Sequence, residues 1–380
     1  MAESFKNIFN EQFFHKFTED IKLVIDDFDT DLFMSKIIDN SWSDRGYKQR
    51  ISHIAAILGE FLPADYDKAI SIIMDLLDCV KGKLPDFSKI DDDNFNLLML
   101  EYGAVFDNYI EQYGLDCYET SIKAIEKVTQ FTSCEFVTHA FISKYPEEMM
   151  KQMLAWSTHE HWGVRRLASE GCRPRLPWAM SLPNLKKDPR PIIPILENLK
   201  NDPARFVRLS VANNLNDISK DNPEIVIEIV KQWKGESANV DWVIKHGCRT
   251  LLKQGNPEVM KLLGLNAGME NIRVKSFRIL TPEVKVGDSL EFSFELWNNH
   301  INKTKIRLEY VIYYQKANGT LSKKVHKISE KEYAGNSKTS IIRKHSFKVV
   351  TTRKFHCGLH QVAVIINGNE FEKRDFELVK

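Results

Sequence analysis

The pentapeptide VRRLA at residues 164–168 sits inside a longer run, WSTHEHWGVRRLASEGCRPRLPW (residues 156–178), and its pattern returns twice along the chain. Val207-Arg208-Leu209-Ser210-Val211 and Ile244-Lys245-His246-Gly247-Cys248 keep the same order: a branched apolar residue, then a cation, then a small residue two or three positions later. The copies start 43 and 37 residues apart. Helix-pair repeats have periods near about 40–47 residues, and they stack so that neighbours bury a continuous core and leave a concave face. The small residue lets adjacent helices approach, while the cation can face the groove or simply solvent.

Helical spacing extends over most of the chain before residue 270, as in Ile51, Ile54, Ala55, Leu58 and in Val226, Ile229, Val230, Trp233. Asp188-Pro189, Asp202-Pro203, Asn222-Pro223 and Asn256-Pro257 each set a capping side chain before a residue favoured at the first helical position. After residue 270 the period becomes two. Ser289 to Leu296 alternates apolar with polar, and similar runs lie at Arg307 to Tyr314, Ile341 to Val350 and Gln361 to Ile366, with turn signals at Asn318-Gly319 and Asn367-Gly368. About seven short strands in such a length suit an immunoglobulin-like sandwich, although the usual cysteine pair is absent. The expected fold is therefore multidomain: an all-α HEAT-like repeat solenoid over 1–268 and an all-β immunoglobulin-like sandwich over 269–380. The segment LNAGMENI (265–272) reads as the linker.

A chain of 380 residues, 43% hydrophobic, is long enough for more than one core. No apolar run reaches membrane-spanning length, and the start, MAESFKNIFNEQFF, lacks the basic-then-apolar order of an export signal. The six cysteines have no CxxC spacing, which suits reduced thiols in a cytoplasmic setting. The net charge of +1 hides an asymmetry. Residues 1–120 carry 11 basic and 24 acidic side chains, a balance of −13; residues 161–210 carry 10 and 4, or +6; residues 271–380 carry 21 and 11, or +10. Two basic regions behind an acidic end would orient the molecule on a polyanion, though three solvated surfaces would look the same.

The run 156–178 mixes four arginines, two acids and three tryptophans. Guanidinium groups beside flat rings, with carboxylates among them, suit a site that grips a polyanion and stabilises a cation. His159-Glu160-His161 lacks the HExxH spacing of a zinc site and reads as a turn, so no metal is expected. No Walker motif, GxSxG elbow or dinucleotide fingerprint is present.

RRLASEGCRPRLPW (165–178), SVANNLNDISKDNPE (210–224) and HGCRTLLKQGNPE (246–258) together resemble the AlkC type of DNA alkylation-repair glycosylase, in the HEAT-like-repeat superfamily that also holds AlkD. The resemblance is specific from about residue 131 to 265; the sandwich matches as well, since some AlkC-type enzymes carry one there. It implies monofunctional hydrolysis of the N-glycosidic bond of cationic bases, chiefly 3-methyladenine and 3-methylcytosine, without an enclosed base-flipping pocket. It also implies double-stranded DNA as partner, no cofactor and no membrane; a cytoplasmic, nucleoid-associated monomer of a bacterium is the expectation. No lysine stands out as a Schiff-base nucleophile.

Carried over from the family, Glu135 in SCEFVTHAF, Glu170 in ASEG and Trp178 in RLPW correspond to the active-site acids and tryptophan, with Asp217 in NNLND as a further carboxylate. One of Glu135 and Glu170 would position water and the other stabilise sugar charge, with Trp178 against the lesion. From chemistry alone, Glu170 can equally pair with Arg166 four residues earlier, Asp217 can order a helix end near Asn213 and Asn214, and Trp178 can be core. Many relatives have Arg-Pro after the first acid, where this chain has Thr138-His139. Arg165, Arg173, Arg175, Arg208, Lys245 and Arg249 are the expected phosphate contacts, because guanidinium forks match phosphate oxygens; Asn213, Asn214 and His246 join them, and Arg166 is read as structural. The alternative function is a noncatalytic repeat scaffold that binds DNA or a protein.

Overall fold

The computed structural model describes residues 5–81, 97–265, 268–349 and 354–380. Its helices are α1 (Glu11–Ile21), α2 (Thr30–Ile37), α3 (Tyr47–Phe61), α4 (Tyr66–Val80), α5 (Leu97–Tyr113), α6 (Tyr118–Thr129), α7 (Glu135–Lys144), α8 (Pro146–Trp156), α9 (Trp162–Glu170), α10 (Pro183–Lys187), α11 (Ile193–Leu199), α12 (Arg205–Ile218), α13 (Pro223–Trp233), α14 (Ala238–Gly247), α15 (Arg249–Gln254) and α16 (Pro257–Leu262). Among the described residues no helix is long and apolar enough to cross a membrane.

The repeated pentapeptides fall on α9, α12 and α14, which pack side by side in that order. Val164, Val207 and Ile244 are all fully buried, as period-3.6 spacing on a packed helix requires. The small residue does what the sequence suggests. A Cβ added to Gly247 would stand 2.9 Å from Leu215 Cβ on α12, so the closeness of this pair depends on glycine. The proline turns divide in two. Asn256 caps α16, its Oδ1 accepting from the N–H groups of Glu258 and Val259 at 3.1 Å, and α13 begins at Pro223. Asp202 does not cap in the expected way: α12 starts at Arg205 after Ala204, and Asp202 instead accepts from Ala204 N–H at 2.8 Å and pairs with Arg165.

The strands are β1 (Ile272–Ile279), β2 (Glu283–Lys285), β3 (Ser289–Asn298), β4 (Thr304–Gln315), β5 (Leu321–Tyr333), β6 (Ser337–Ser346), β7 (Gly358–Ile366) and β8 (Asn369–Val379). They form two sheets, β1-β3-β6 and β2-β8-β7-β4-β5, and all pairings are antiparallel except β2 with β8. This is an immunoglobulin-like sandwich of eight strands rather than seven. The strand expected to reach Val350 stops at Ser346, and Val350 lies outside the described residues. In place of a disulfide the sheets bury Phe292, Phe294, Leu296, Val362, Val364 and Phe376, each contributing about 1.5–3 kcal/mol by leaving water. His345 knits the same core, one ring nitrogen bonded to the Tyr310 hydroxyl at 2.9 Å and the other to that of Tyr314 at 2.7 Å.

Helix gives way to strand between Leu262 and Ile272, across a single short 3-10 turn at Met269–Asn271; residues 266–267 of the expected linker lie outside the described residues. By compactness the chain divides into Met1–Val226 with Trp233–Gly247, and Ile227–Gln232 with Cys248–Lys380. In the second unit Gly255 ends α15 and Gly368 turns β7 into β8, both at positive φ, and a Cβ on Gly255 would come 2.9 Å from the Gly368 carbonyl oxygen. Gly247→Val should destabilise the protein by about 1–3 kcal/mol through overpacking against Leu215, read as a lowered urea midpoint; an unchanged midpoint would contradict the close α12–α14 packing.

Candidate active site

Glu170 is the last residue of α9 and is buried. Gly171 follows where a Cβ would meet Thr138 Oγ1 at 2.6 Å, so the end of α9 packs against α7 at a closeness that glycine allows. The Arg173 guanidinium donates to Glu170 Oε1 at 2.6 Å and to Asp217 Oδ2 at 2.8 Å, which joins α9 to α12. Glu170 Oε2 accepts from the Ser210 hydroxyl at 2.6 Å, and Lys220 sits 2.9 Å from Asp217. One turn earlier, Arg166 donates to Ser133 Oγ at 2.6 Å and Glu135 Oε2 at 3.3 Å, and lies 3.7 Å from Glu170. Acids and guanidiniums therefore alternate in one line, Glu135, Arg166, Glu170, Arg173, Asp217, half-buried at its Glu135 end and buried from Glu170 on.

That line makes the two glutamates chemically different. Burial pushes the Glu135 carboxyl above its usual range, with the charge of Glu170 adding to the effect and Arg166 only partly opposing it. Burial acts on Glu170 as well, but the charges of Arg166 and Arg173 and the bonds from Ser210 and Arg173 outweigh it and hold that carboxyl below its usual range. Glu170 is thus a fixed anion with its oxygens occupied, whereas Glu135, the first residue of α7, retains partial access.

Trp178 completes the group. Its backbone is left-handed, with φ 69°, a conformation that costs a bulky side chain about 1–3 kcal/mol, and the residue is 63% exposed. It is not core. The turn is held from two sides: the Lys48 ammonium donates to the Trp178 carbonyl, and the buried ring of His139 donates from Nδ1 to the Met180 carbonyl at 2.7 Å. Burial keeps His139 below its usual range and so neutral. Of the Thr138-His139 pair, His139 therefore supports the tryptophan turn, while Thr138 donates to the Glu135 carbonyl at 2.8 Å. Trp178 and Glu135 both border a cavity of about 320 Å³ between α3, α5 and α7, into which Asp107 and Glu111 of α5 also face.

The expected phosphate contacts are placed less uniformly. Arg173, expected as a phosphate contact, is instead placed in the buried ion-pair line between Glu170 and Asp217. Arg165 is spent on Asp202, at 2.5 and 3.2 Å, and on the carbonyls of His159 and Glu160. Arg208 holds the carbonyls of Asp202 and Pro203 at 2.6 and 3.0 Å, and Asn214 is fully buried, donating to the Ser169 carbonyl at 2.8 Å. All three make hydrogen bonds inside the fold in this structure. Arg175 pairs with Asp221 but remains 38% exposed. Asn213 is half-buried on α12, Lys245 is exposed on α14, and Arg249 is half-buried at the start of α15. His246 stacks on Trp242 at 5.2 Å. His161 caps α9, its Nδ1 accepting from Gly163 N–H at 3.2 Å.

Sequence reading passed over a second strip. Trp162, Arg205 and Trp242 occupy the same place in each repeat, two residues before the branched apolar residue, and that register was the available signal. In the fold the Arg205 guanidinium lies 5.8 Å from the Trp242 ring, Arg166 lies 5.8 Å from Phe206, and Trp162 meets Phe206 at 6.0 Å. A run of flat rings and cations at these distances offers stacking and phosphate attraction together.

Two family models match the chain: that of the DNA alkylation repair enzymes over residues 102–261, and that of the YhaZ C-terminal Ig-like domain over residues 273–380. The protein YhaZ of Bacillus subtilis (strain 168), described as uncharacterized, is 39% identical over 373 residues, 98% of this chain and 99% of its own. Among solved structures, the Pseudomonas fluorescens alkylpurine DNA glycosylase AlkC, bound to DNA containing an abasic site analog, superposes with a TM-score of 0.90 at 29% identity, over 99% of this chain and all of that one.

Arg173→Ala should leave two buried carboxylates without their shared partner and cost about 3–5 kcal/mol of stability. Thermal or denaturant unfolding reads this directly; a variant as stable as wild type would show that Arg173 is not the internal clamp described.

Proposed function

The chain belongs to the AlkC-type DNA alkylation-repair glycosylase family, and from that premise we propose that it hydrolyses the N-glycosidic bond of cationic alkylated bases in double-stranded DNA, 3-methyladenine and 3-methylcytosine among them. The product is an abasic site. The helical domain, 1–268, carries the reaction, and the basic sandwich, 269–380, adds contacts to the duplex. The enzyme works as a bacterial cytoplasmic monomer, needs no cofactor and cleaves no strand.

The carrying observation is the pair of carboxylates with opposite shifts beside an exposed, strained tryptophan. A methylated base already bears positive charge, so it leaves with little acid assistance and the barrier lies in charge developing on the sugar. A fixed anion stabilises that charge best when it costs nothing to reorganise, and Glu170, held by Arg173, Arg166 and Ser210, meets that description. Glu135 has access and a raised proton affinity, which suit a group that orients a water and takes its proton. Asp217 supports Glu170 through the shared Arg173, acting as a positioning residue. The Trp178 ring offers a π-face to the cationic base, which stays within the duplex while the bond breaks. Arg175, Lys245, Arg249 and Arg205 supply the cations for the DNA backbone, with Asn213 and His246 beside them.

The test is incubation of purified protein with dimethyl-sulfate-treated duplex DNA, followed by mass spectrometry of the released bases. Wild type should release 3-methyladenine and 3-methylcytosine, while Glu135→Gln and Trp178→Ala should lose at least 100-fold in rate and still bind the DNA. Salt-dependent binding without release from wild type would leave the noncatalytic scaffold as the function.

A further inference from the structure

We propose that the cavity between α3, α5 and α7 receives the excised base, a flat methylated heterocycle bearing an amino group. This rests on the glycosylase reading and concerns the step after it. Hydrolysis breaks the C–N bond, leaves its electron pair on the base nitrogen and so neutralises the cation, while the water oxygen bonds to the sugar carbon and its proton passes to Glu135. The departing base is thus uncharged, planar and rich in hydrogen-bonding edges.

The cavity matches those properties. Its lining includes Glu135 and Trp178, the two residues this reading places nearest the reaction, so a base leaving the sugar has a short path into it. Its volume of about 320 Å³ falls at the lower end of the range of small-ligand sites, about 300–1,000 Å³, which suits one heterocycle rather than a nucleotide. Tyr47, Phe136 and Trp178 supply flat faces, and Ile51 and Ala104 an apolar floor. Against these stands one deeply buried polar group. Asp107 is 3% exposed, and its Oδ1 accepts from Val137 N–H at 3.3 Å. A carboxyl this deeply buried needs hydrogen-bond partners, and a guest in the cavity it lines can supply one.

The electrostatics favour an uncharged guest. Burial raises Asp107 well above the usual carboxyl range, and Glu111 beside it is raised by the same cause. A protonated carboxyl presents O–H and C=O side by side, the complement of a ring nitrogen next to an amino group. Among the described residues the cation at the wall is Lys48, which donates to the Trp178 carbonyl and lies 4.9 Å from the Phe136 ring. The same lysine thus fixes both the aromatic wall and the turn that closes over it.

The full-length protein titrated with free 3-methyladenine, followed by calorimetry and by tryptophan fluorescence, tests this. Wild type should bind the base saturably, and excess base should slow release from alkylated DNA. Ala104→Met, which fills the cavity without touching its hydrogen-bonding groups, should weaken binding at least tenfold; Asp107→Leu should do likewise, with circular dichroism confirming that each variant is folded. A wild type that releases bases from DNA yet binds no free base, or an Ala104→Met protein that binds as well as wild type, overturns the pocket and leaves the enzymatic reading intact. Base binding without release from DNA supports the pocket and overturns the enzymatic reading.

Discussion

A single guanidinium carries the architecture of the site. Arg173 is buried between Glu170 and Asp217, on two helices that the repeat stacks side by side, and neither carboxylate would be tolerable there without it. Two like charges taken out of water repel and pay a desolvation cost of several kcal/mol each; a shared donor at 2.6 and 2.8 Å offsets both. The Arg173 side chain thereby ties the end of α9 to α12.

The same arrangement separates the glutamates. Glu170 has Arg166 and Arg173 on two sides and a serine hydroxyl on a third, so it remains an anion. Glu135 shares only Arg166, feels Glu170 as a like charge and gains proton affinity. Two carboxyls of identical chemistry are thereby set apart, one with its proton affinity lowered and the other with it raised. Trp178 is held in an unfavourable backbone region by Lys48 and His139, neither of which is adjacent to it in the chain.

Much of this was legible in the chain. Val164, Val207 and Ile244 announce three equivalent helices, and the alternation from Ser289 announces a strand, because burial imposes the periods 3.6 and 2 on any sequence. The strands β1, β2, β5 and β8 were not individually assigned; β5 and β8 are largely exposed, so they carry too few inward residues to show alternation. Arginines were harder still. Arg165, Arg173, Arg175 and Arg208 look alike in sequence, and only the position of a partner tens of residues away, such as Asp202 or Asp217, separates a clamp from a phosphate contact. Asp107, Lys48 and His139 escaped for the same reason: each acts across a sequence separation of 30 to 130 residues.

The central claim is that Glu135 works as a carboxylate of raised proton affinity beside a permanently ionised Glu170. The direct measurement is the single-turnover rate of base release from a duplex carrying one cationic lesion, followed from pH 8 downward. Because the Glu135 carboxyl is raised, its working ionised form is lost as pH falls through that raised value, while Glu170, held low, stays charged. The rate should therefore fall on the acid side while the pH is still above the ordinary carboxylate range, and Glu135→Gln should be slow with no such fall. A rate that stays flat down to the ordinary carboxylate range, or an acid fall that persists in Glu135→Gln, would contradict the account.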